Sequence, residues 1–489
     1  MPAARAECPD KGLKRDAIGY LSNLVIAVAS VAPGYSIAAT LGFVVAVAGL
    51  QAPAVFIVAF VPMLLVAYAY RYFNRADPDA GTTFSWVTRA FGPGAGWLGG
   101  WAIVVADVVV MANLAAIAGS YTFLLVSWDS AASSTAAVTA VGVLWIVVMT
   151  AICYIGIELN ARTQRWLLSA EVVILAVFAV WALVKAAIVD PAGSVTPSLS
   201  WINPFAAPSA SGFFDGILLA VFIYWGWDSG VAVNEESRDR RHGPGKAAVL
   251  STIILLGIYV IVSVAAQAYA GPKALVDNSD DVLSFLGGSV FPSPLDKALI
   301  LAVLTSAAAS TQTTILPTAR TTLSMARHGA LPRIVGRVHP RFQTPDVSTL
   351  AMGLASIAFY VILTIVSEDV LGDSIVALGF LIAFYYGLTG IACAWYYRGV
   401  ARRGGRALLL AVVAPLAGGV MLFALFGKAL VDYSKPANVA TSLWGIGTPV
   451  WIGVGSIVAG VIVMLITRAL LPTPFWRRRT EQADPELVA

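Results

Sequence analysis

The chain has 489 residues, 58% of them hydrophobic and only 12% charged, with a mean hydropathy of +0.81 and a formal net charge of +4. Soluble domains are roughly half apolar and about a quarter charged, so this composition excludes a protein whose whole surface faces water. With a charge this near neutral and no patch that interleaves basic and aromatic residues, nucleic acid is excluded as a partner.

Met1 to Asp16 is polar and lacks the apolar stretch and small-residue cut site of a cleavable signal, so residues 1–16 are expected to form a cytoplasmic tail. A helix needs roughly 20 apolar residues to cross the hydrocarbon layer. Such runs begin near Ala17, Pro53, Trp97, Ala136, Trp166, Phe213, Ala247, Ala298, Val347, Ile375, Leu408 and Pro449. They predict an all-α integral membrane protein of about twelve transmembrane helices over residues 17–472, with a second cytoplasmic tail at 473–489. Placing the N-terminus inside puts every Lys and Arg on the cytoplasmic side except Lys185, Lys273, Lys297, Lys428 and Lys435. That bias supports twelve spans in the inner membrane with both termini cytoplasmic.

The first span is interrupted at Ala32-Pro33-Gly34-Tyr35-Ser36. Proline removes a donor and clashes with the preceding turn, and the adjacent glycine tolerates almost any backbone angle. Backbone groups freed at membrane depth need a polar cavity to line. Asp107 in span three, Glu171 in span five and Asp228 in span six also lie at membrane depth. A charged acid facing lipid there costs at least about 2.5 kcal/mol, so all three are expected to face the interior. The alternative for each is a structural, hydrogen-bonded acid, and Glu171, close to a basic loop, fits it most readily. Span six carries the second anomaly, Phe222-Ile223-Tyr224-Trp225-Gly226-Trp227-Asp228-Ser229-Gly230. Interruptions at corresponding positions of two halves point to a transporter's binding site. Cys8, Cys153 and Cys393 are far apart and read as small buried residues; His242, His328 and His339 fall in basic connecting segments without ligand spacing.

Four features carry a family resemblance: the broken Pro33-Gly34-Tyr35-Ser36 run, the segment Asp79-Ala80-Gly81-Thr82-Thr83-Phe84-Ser85-Trp86, Gly226-Trp227-Asp228 followed by Asn234-Glu235-Glu236-Ser237-Arg238-Asp239, and Ala319-Arg320 through Met325-Ala326-Arg327-His328-Gly329-Ala330-Leu331-Pro332 with His339-Pro340 and Pro345 after it. In this order the chain resembles the amino acid/polyamine/organocation superfamily, of the bacterial amino acid permease type. The resemblance implies a five-plus-five inverted repeat with broken helices one and six, a first repeat at about 17–190, a second at about 211–396, and two extra helices at about 407–471. It also implies that unwound backbone of spans one and six holds a substrate's amino group and carboxylate. Two departures stand out: Pro33 replaces a flexible residue of the span-one run, and Glu171 stands where several proton-coupled members carry lysine.

The expected function is a secondary transporter of an amino acid or amine, preferably cationic, driven by a proton or other ion gradient or by exchange. Ala32, Pro33, Gly34, Tyr35 and Ser36 would bind one end of the substrate; Phe222, Trp225 and Gly226 would close over it, with ring faces toward its ammonium. Asp107 would select cations, and Asp228 and Glu171 would couple or gate. Gln312 and Thr313 in span eight join the substrate site by approximate alignment with the family. No GxxxxGK[ST] motif is present, so no nucleotide partner is expected, and neither is a metal or cofactor. No nucleophile–base pair lies at membrane depth, so an enzyme is not expected. A neutral amino acid permease of the same fold is the alternative, followed by a channel or receptor-like membrane protein.

Overall fold

The computed structural model describes residues 10–279, 281–366, 370–399, 405–439 and 441–481, and it is built almost wholly from helices. In chain order these begin with α1 (Tyr20–Val31), α2 (Pro33–Ala48), α3 (Ala52–Ala76), α4 (Thr83–Phe91) and α5 (Pro93–Leu125). There follow the single turn α6 (Asp129–Ala132), α7 (Thr135–Ile155), α8 (Ile157–Ile188), α9 (Ala210–Phe222) and the single turn α10 (Ser229–Ala232). Next come α11 (Gly243–Asp277), α12 (Val282–Val290), α13 (Ala298–Arg327), α14 (Asp346–Val366) and α15 (Val370–Tyr396). The chain closes with α16 (Gly405–Leu408), α17 (Ala414–Tyr433) and α18 (Thr448–Leu470), and between the last two sits a two-stranded hairpin of β1 (Ser442–Leu443) and β2 (Ile446–Gly447). Proline at the first or second position starts α2, α3, α5, α17 and α18, where its missing N–H costs nothing and its fixed φ suits the first turn.

Among the described residues ten helical stretches are long and apolar enough to cross a membrane. The first, Tyr20–Ala76, has 57 residues, about twice what one crossing requires, and it divides near Gly49 (φ 59°) into the broken first span and α3. With the short apolar α9, whose 13 residues end at the span-six break, the described residues hold twelve candidate spans, the number expected from the hydropathy pattern. Contacts between distant segments agree with that count. Lys11 meets Asp79 and Glu235, Arg320 meets Glu236, and Arg89 meets Glu481. All these residues therefore share one face of the bundle, and an even number of crossings separates each from the next.

Burial sorts the helices into an inner group and a lipid-facing belt. The span containing α13 is 89% buried, whereas that of α18 is 17% buried although it is more apolar. Apolar side chains such as Val177, Val180, Ile362, Val458 and Ile462 are exposed on the outer helices, as expected where the solvent is hydrocarbon rather than water. Ser306, Ser310, Thr311, Gln312, Thr313, Thr314 and Thr318 of α13 are all buried, so the most polar helix lies at the centre.

Candidate functional site

The two anomalous segments are breaks in the helices, and they meet. Ala32 adopts the left-handed conformation (φ 51°, ψ 64°) between α1 and α2. A non-glycine residue there costs roughly 1–2 kcal/mol, and the cost is offset by partners found for the freed backbone. The Ser310 hydroxyl donates to the Ser30 carbonyl (2.8 Å), and the Ser36 hydroxyl donates to the Val31 carbonyl (2.7 Å). In span six α9 ends at Phe222 and α10 begins at Ser229. Between them Gly226 has φ 113°, and a Cβ placed on it would lie 2.7 Å from the Ser30 carbonyl oxygen. Only glycine permits both that angle and that approach of one break to the other. The serine hydroxyls of Ser30 and Ser229 share a hydrogen bond of 2.7 Å across the junction.

Around this junction the acids sit in separate places. Asp228 is buried and accepts hydrogen bonds from the Tyr386 hydroxyl (2.8 Å) and the Tyr385 hydroxyl (3.2 Å) of α15. Trp225 donates its indole N–H to the same Tyr385 hydroxyl, and Tyr70, Trp227 and Tyr386 pack ring against ring beneath it. Asp107 of α5 is equally buried and accepts from the Thr318 hydroxyl of α13. Glu171 of α8 reaches the first break: its Oε1 accepts the Gly34 N–H (2.6 Å) and the Ser306 hydroxyl (2.8 Å).

Phe222 packs edge-on against Tyr35, with ring centroids 6.2 Å apart, and the Tyr35 hydroxyl donates to Asn113 of α5. The first break is narrower than the expected Ala32 to Ser36 interruption: only Ala32 leaves the helix, and Pro33 to Ser36 form the first turn of α2, near Phe222 and Gly226 of the second break. Gln312 and Thr313 are buried in α13 and have these partners. The Gln312 amide oxygen accepts from Gln164 of α8 (2.7 Å), its carbonyl accepts from Cys153, and the Thr313 hydroxyl returns to the Ala309 and Ser310 carbonyls of its own helix.

A second constellation was not legible as one. Lys11 is fully buried, with Nζ 2.8 Å from Asp79 and 2.6 Å from Glu235. Asp79 also accepts from Gly81 N–H, Ser85 and Ser324, and His328 lies 3.7 Å away. Burial alone would raise the Asp79 carboxyl, but the charges of Lys11 and His328 and the bonds from Lys11 and Ser324 outweigh it and hold it well below its ordinary value. Burial likewise opposes the Lys11 ammonium, and the two carboxylates overcome it and raise its pKa. Beside this cluster Arg320 grips Glu236 with two bonds of 2.7 and 2.9 Å, both side chains buried. The N-terminal segment, expected as a solvated tail, is therefore docked from at least Lys11 onward, because the acids of the α3–α4 and α10–α11 connections need its cation. The last described residues are docked too, with Phe475 buried and Glu481 paired to Arg89.

The fold defines a polytopic membrane protein in which two broken helices meet and in which ion pairs tie the N-terminal segment to one face. A family model described as amino acid permease matches residues 18–466, and the chain belongs to that family. It is 28% identical over 276 residues to an uncharacterized transporter of Mycobacterium tuberculosis, covering 56% of this chain and 58% of the relative. It is 25% identical over 347 residues to a vacuolar cationic amino acid transporter 4 of Arabidopsis thaliana, covering 67% of this chain and 55% of the relative. It is also 25% identical over 344 residues to a branched-chain amino acid permease of Lactococcus lactis, covering 67% and 70%. The match to the first two thus spans a little over half of their length. The relatives are permeases and transporters, so the family is one of solute carriers rather than enzymes.

Proposed function

We propose that the protein is a secondary transporter that moves an amino acid or amine, preferably cationic, across the cytoplasmic membrane, driven by a proton gradient or by exchange. The observation that carries this reading is the pair of buried carboxylates, Asp228 at the span-six break and Asp107 against α13, each with hydroxyl hydrogen-bond partners among the described residues. An incoming ammonium would relieve the cost of burying them. Asp228, held by two tyrosines at the span-six break, is the coupling or gating acid in this reading, with Glu171 at the span-one break as the second. Residues 17–190 and 211–396 are taken as the two repeats. The bias of Lys and Arg places the N-terminal face in the cytoplasm.

The alternative of a neutral amino acid permease is favoured by one observation, the bond from Thr318 to Asp107, which lets a protonated Asp107 serve as a helix-to-helix tie. The likeness to a branched-chain permease leaves that reading open. Uptake of labelled solutes into proteoliposomes, with and without an imposed pH gradient, tests both. Gradient-dependent accumulation of arginine, lysine or a diamine, reduced by Asp107→Asn, supports the first reading. Equal competition by leucine, unchanged in Asp107→Asn, refutes it.

A further inference from the structure

The first free amides of a helix attract a carboxylate, because the unpaired N–H groups and the helix dipole both favour an anion there. In the centre of this protein that place is the start of α2, and it is taken. Pro33 has no N–H, and the Gly34 N–H donates to Glu171 Oε1 at 2.6 Å. The Tyr35 N–H donates to the Ser306 hydroxyl at 3.1 Å, which in turn donates a hydrogen bond to the same Glu171 oxygen at 2.8 Å. The Ser36 N–H closes onto the Ala32 carbonyl at 2.8 Å. One acid from α8 therefore satisfies two successive amides, one directly and one through a serine.

The space is filled as well as the bonds. A Cβ on Gly34 would lie 3.3 Å from Glu171 Oε1, and 3.4 Å from both the Ala302 carbonyl and Ser306 Cβ. Glu171 is fully buried, and its second oxygen, Oε2, has no hydrogen-bond partner among the described residues. A buried acceptor without a donor suits an N–H group and repels another carboxylate.

We infer that Glu171 stands where a substrate carboxylate would bind, so the protein takes amines without an α-carboxylate in preference to the matching amino acids. This rests on the transport reading above and narrows it to organic amines and diamines.

Matched pairs test it on the purified full-length protein, by competition binding or by thermal shift: agmatine against arginine, 1,5-diaminopentane against lysine, isoamylamine against leucine. The quantity read is the affinity ratio within each pair. In the native protein the amine binds at least tenfold more tightly than its amino acid. Glu171→Ala, which vacates the Gly34 amide and removes the charge, shifts the ratio at least tenfold toward the amino acid. Glu171→Gln, which removes the charge but still offers an oxygen to that amide, falls between. Ser306→Ala frees the Tyr35 N–H and shifts the ratio in the same direction by less, which keeps the test available if Glu171→Ala does not fold. A native ratio of one or below overturns the inference while the transport reading stands, and so does a ratio unmoved in every variant that folds. Binding of neither member of any pair refutes the transport reading and this inference with it.

Discussion

Replacing Lys11 by Met removes one ammonium from between two buried carboxylates. Its Nζ lies 2.8 Å from Asp79 and 2.6 Å from Glu235, and the three side chains are 0%, 1% and 4% exposed. The two oxygens it bridges are thus within about 5 Å of each other. Two unit charges at that separation repel by about 3 kcal/mol at an effective dielectric near 20. Loss of one partner from a buried ion pair costs a comparable ~3–5 kcal/mol. The lower figure is the better expectation, since Asp79 keeps Gly81 N–H, Ser85 and Ser324, and Glu235 keeps the Ala80 N–H. The cheapest relief is for the N-terminal segment to undock and admit water to the acids. That segment is zipped to the α10–α11 connection through Ile18 N–H to the Glu236 carbonyl and Arg238 N–H to the Ile18 carbonyl. Undocking exposes those amides, and 3 kcal/mol corresponds to about two orders of magnitude in exchange protection. Hydrogen–deuterium exchange on peptides covering residues 10–25 and 230–240 measures it, with Lys11→Arg as a charge-retaining control. If Lys11→Met exchanges there at the native rate and keeps the native thermal midpoint, the cluster does not hold this face closed.

Gly226→Ala should abolish transport and destabilise the protein by about 2–4 kcal/mol, because a Cβ would lie 2.7 Å from the Ser30 oxygen at φ 113°; thermal unfolding and uptake of the variant check this. Asp228→Asn should flatten the pH profile of uptake, and Tyr386→Phe, which removes the 2.8 Å bond to it, should displace the midpoint of that profile while leaving its shape. Asp79 is held below its ordinary carboxylate value in the folded protein. Its stabilising contribution is therefore full above the ordinary value, about 4, and is lost as pH falls through the depressed folded value. Lys11 is raised, so its contribution is full below its own ordinary value, about 10.4, and fades only in strong alkali. The contributions of Asp79 and Lys11 are thus both full between about pH 5 and about pH 8, but burial lowers His328 beside Asp79 and raises Glu235. Exchange protection of the N-terminal face, corrected for intrinsic rates, should therefore begin to fall near about pH 6.5 as His328 takes up a proton, and fall further below about pH 5 with Asp79, while Glu235 works against the fall.

Composition and hydropathy alone determined that this is a helical membrane protein, because apolar runs of about 20 residues match a helical crossing whereas a barrel strand takes about 10, and a helix satisfies its backbone internally. The breaks were also legible: Pro33-Gly34 cannot continue a helix, and the Gly226 segment places aromatics and an acid where a plain lipid-facing helix has neither. The tertiary structure decided which face each polar residue presents. Gln312 bonds to Gln164 of α8 and Thr313 to its own backbone, partners that depend on which helix packs beside α13 and not on anything local to it. Lys11 read as one more charge of a polar tail. Only packing reveals that Asp79 and Glu235, brought together from connections more than 150 residues apart, create a buried negative site that draws it in. Glu171 was legible as a buried acid but not as the cap of α2, because a bond spanning 137 residues follows from how α8 packs beside the break and from nothing local to either segment.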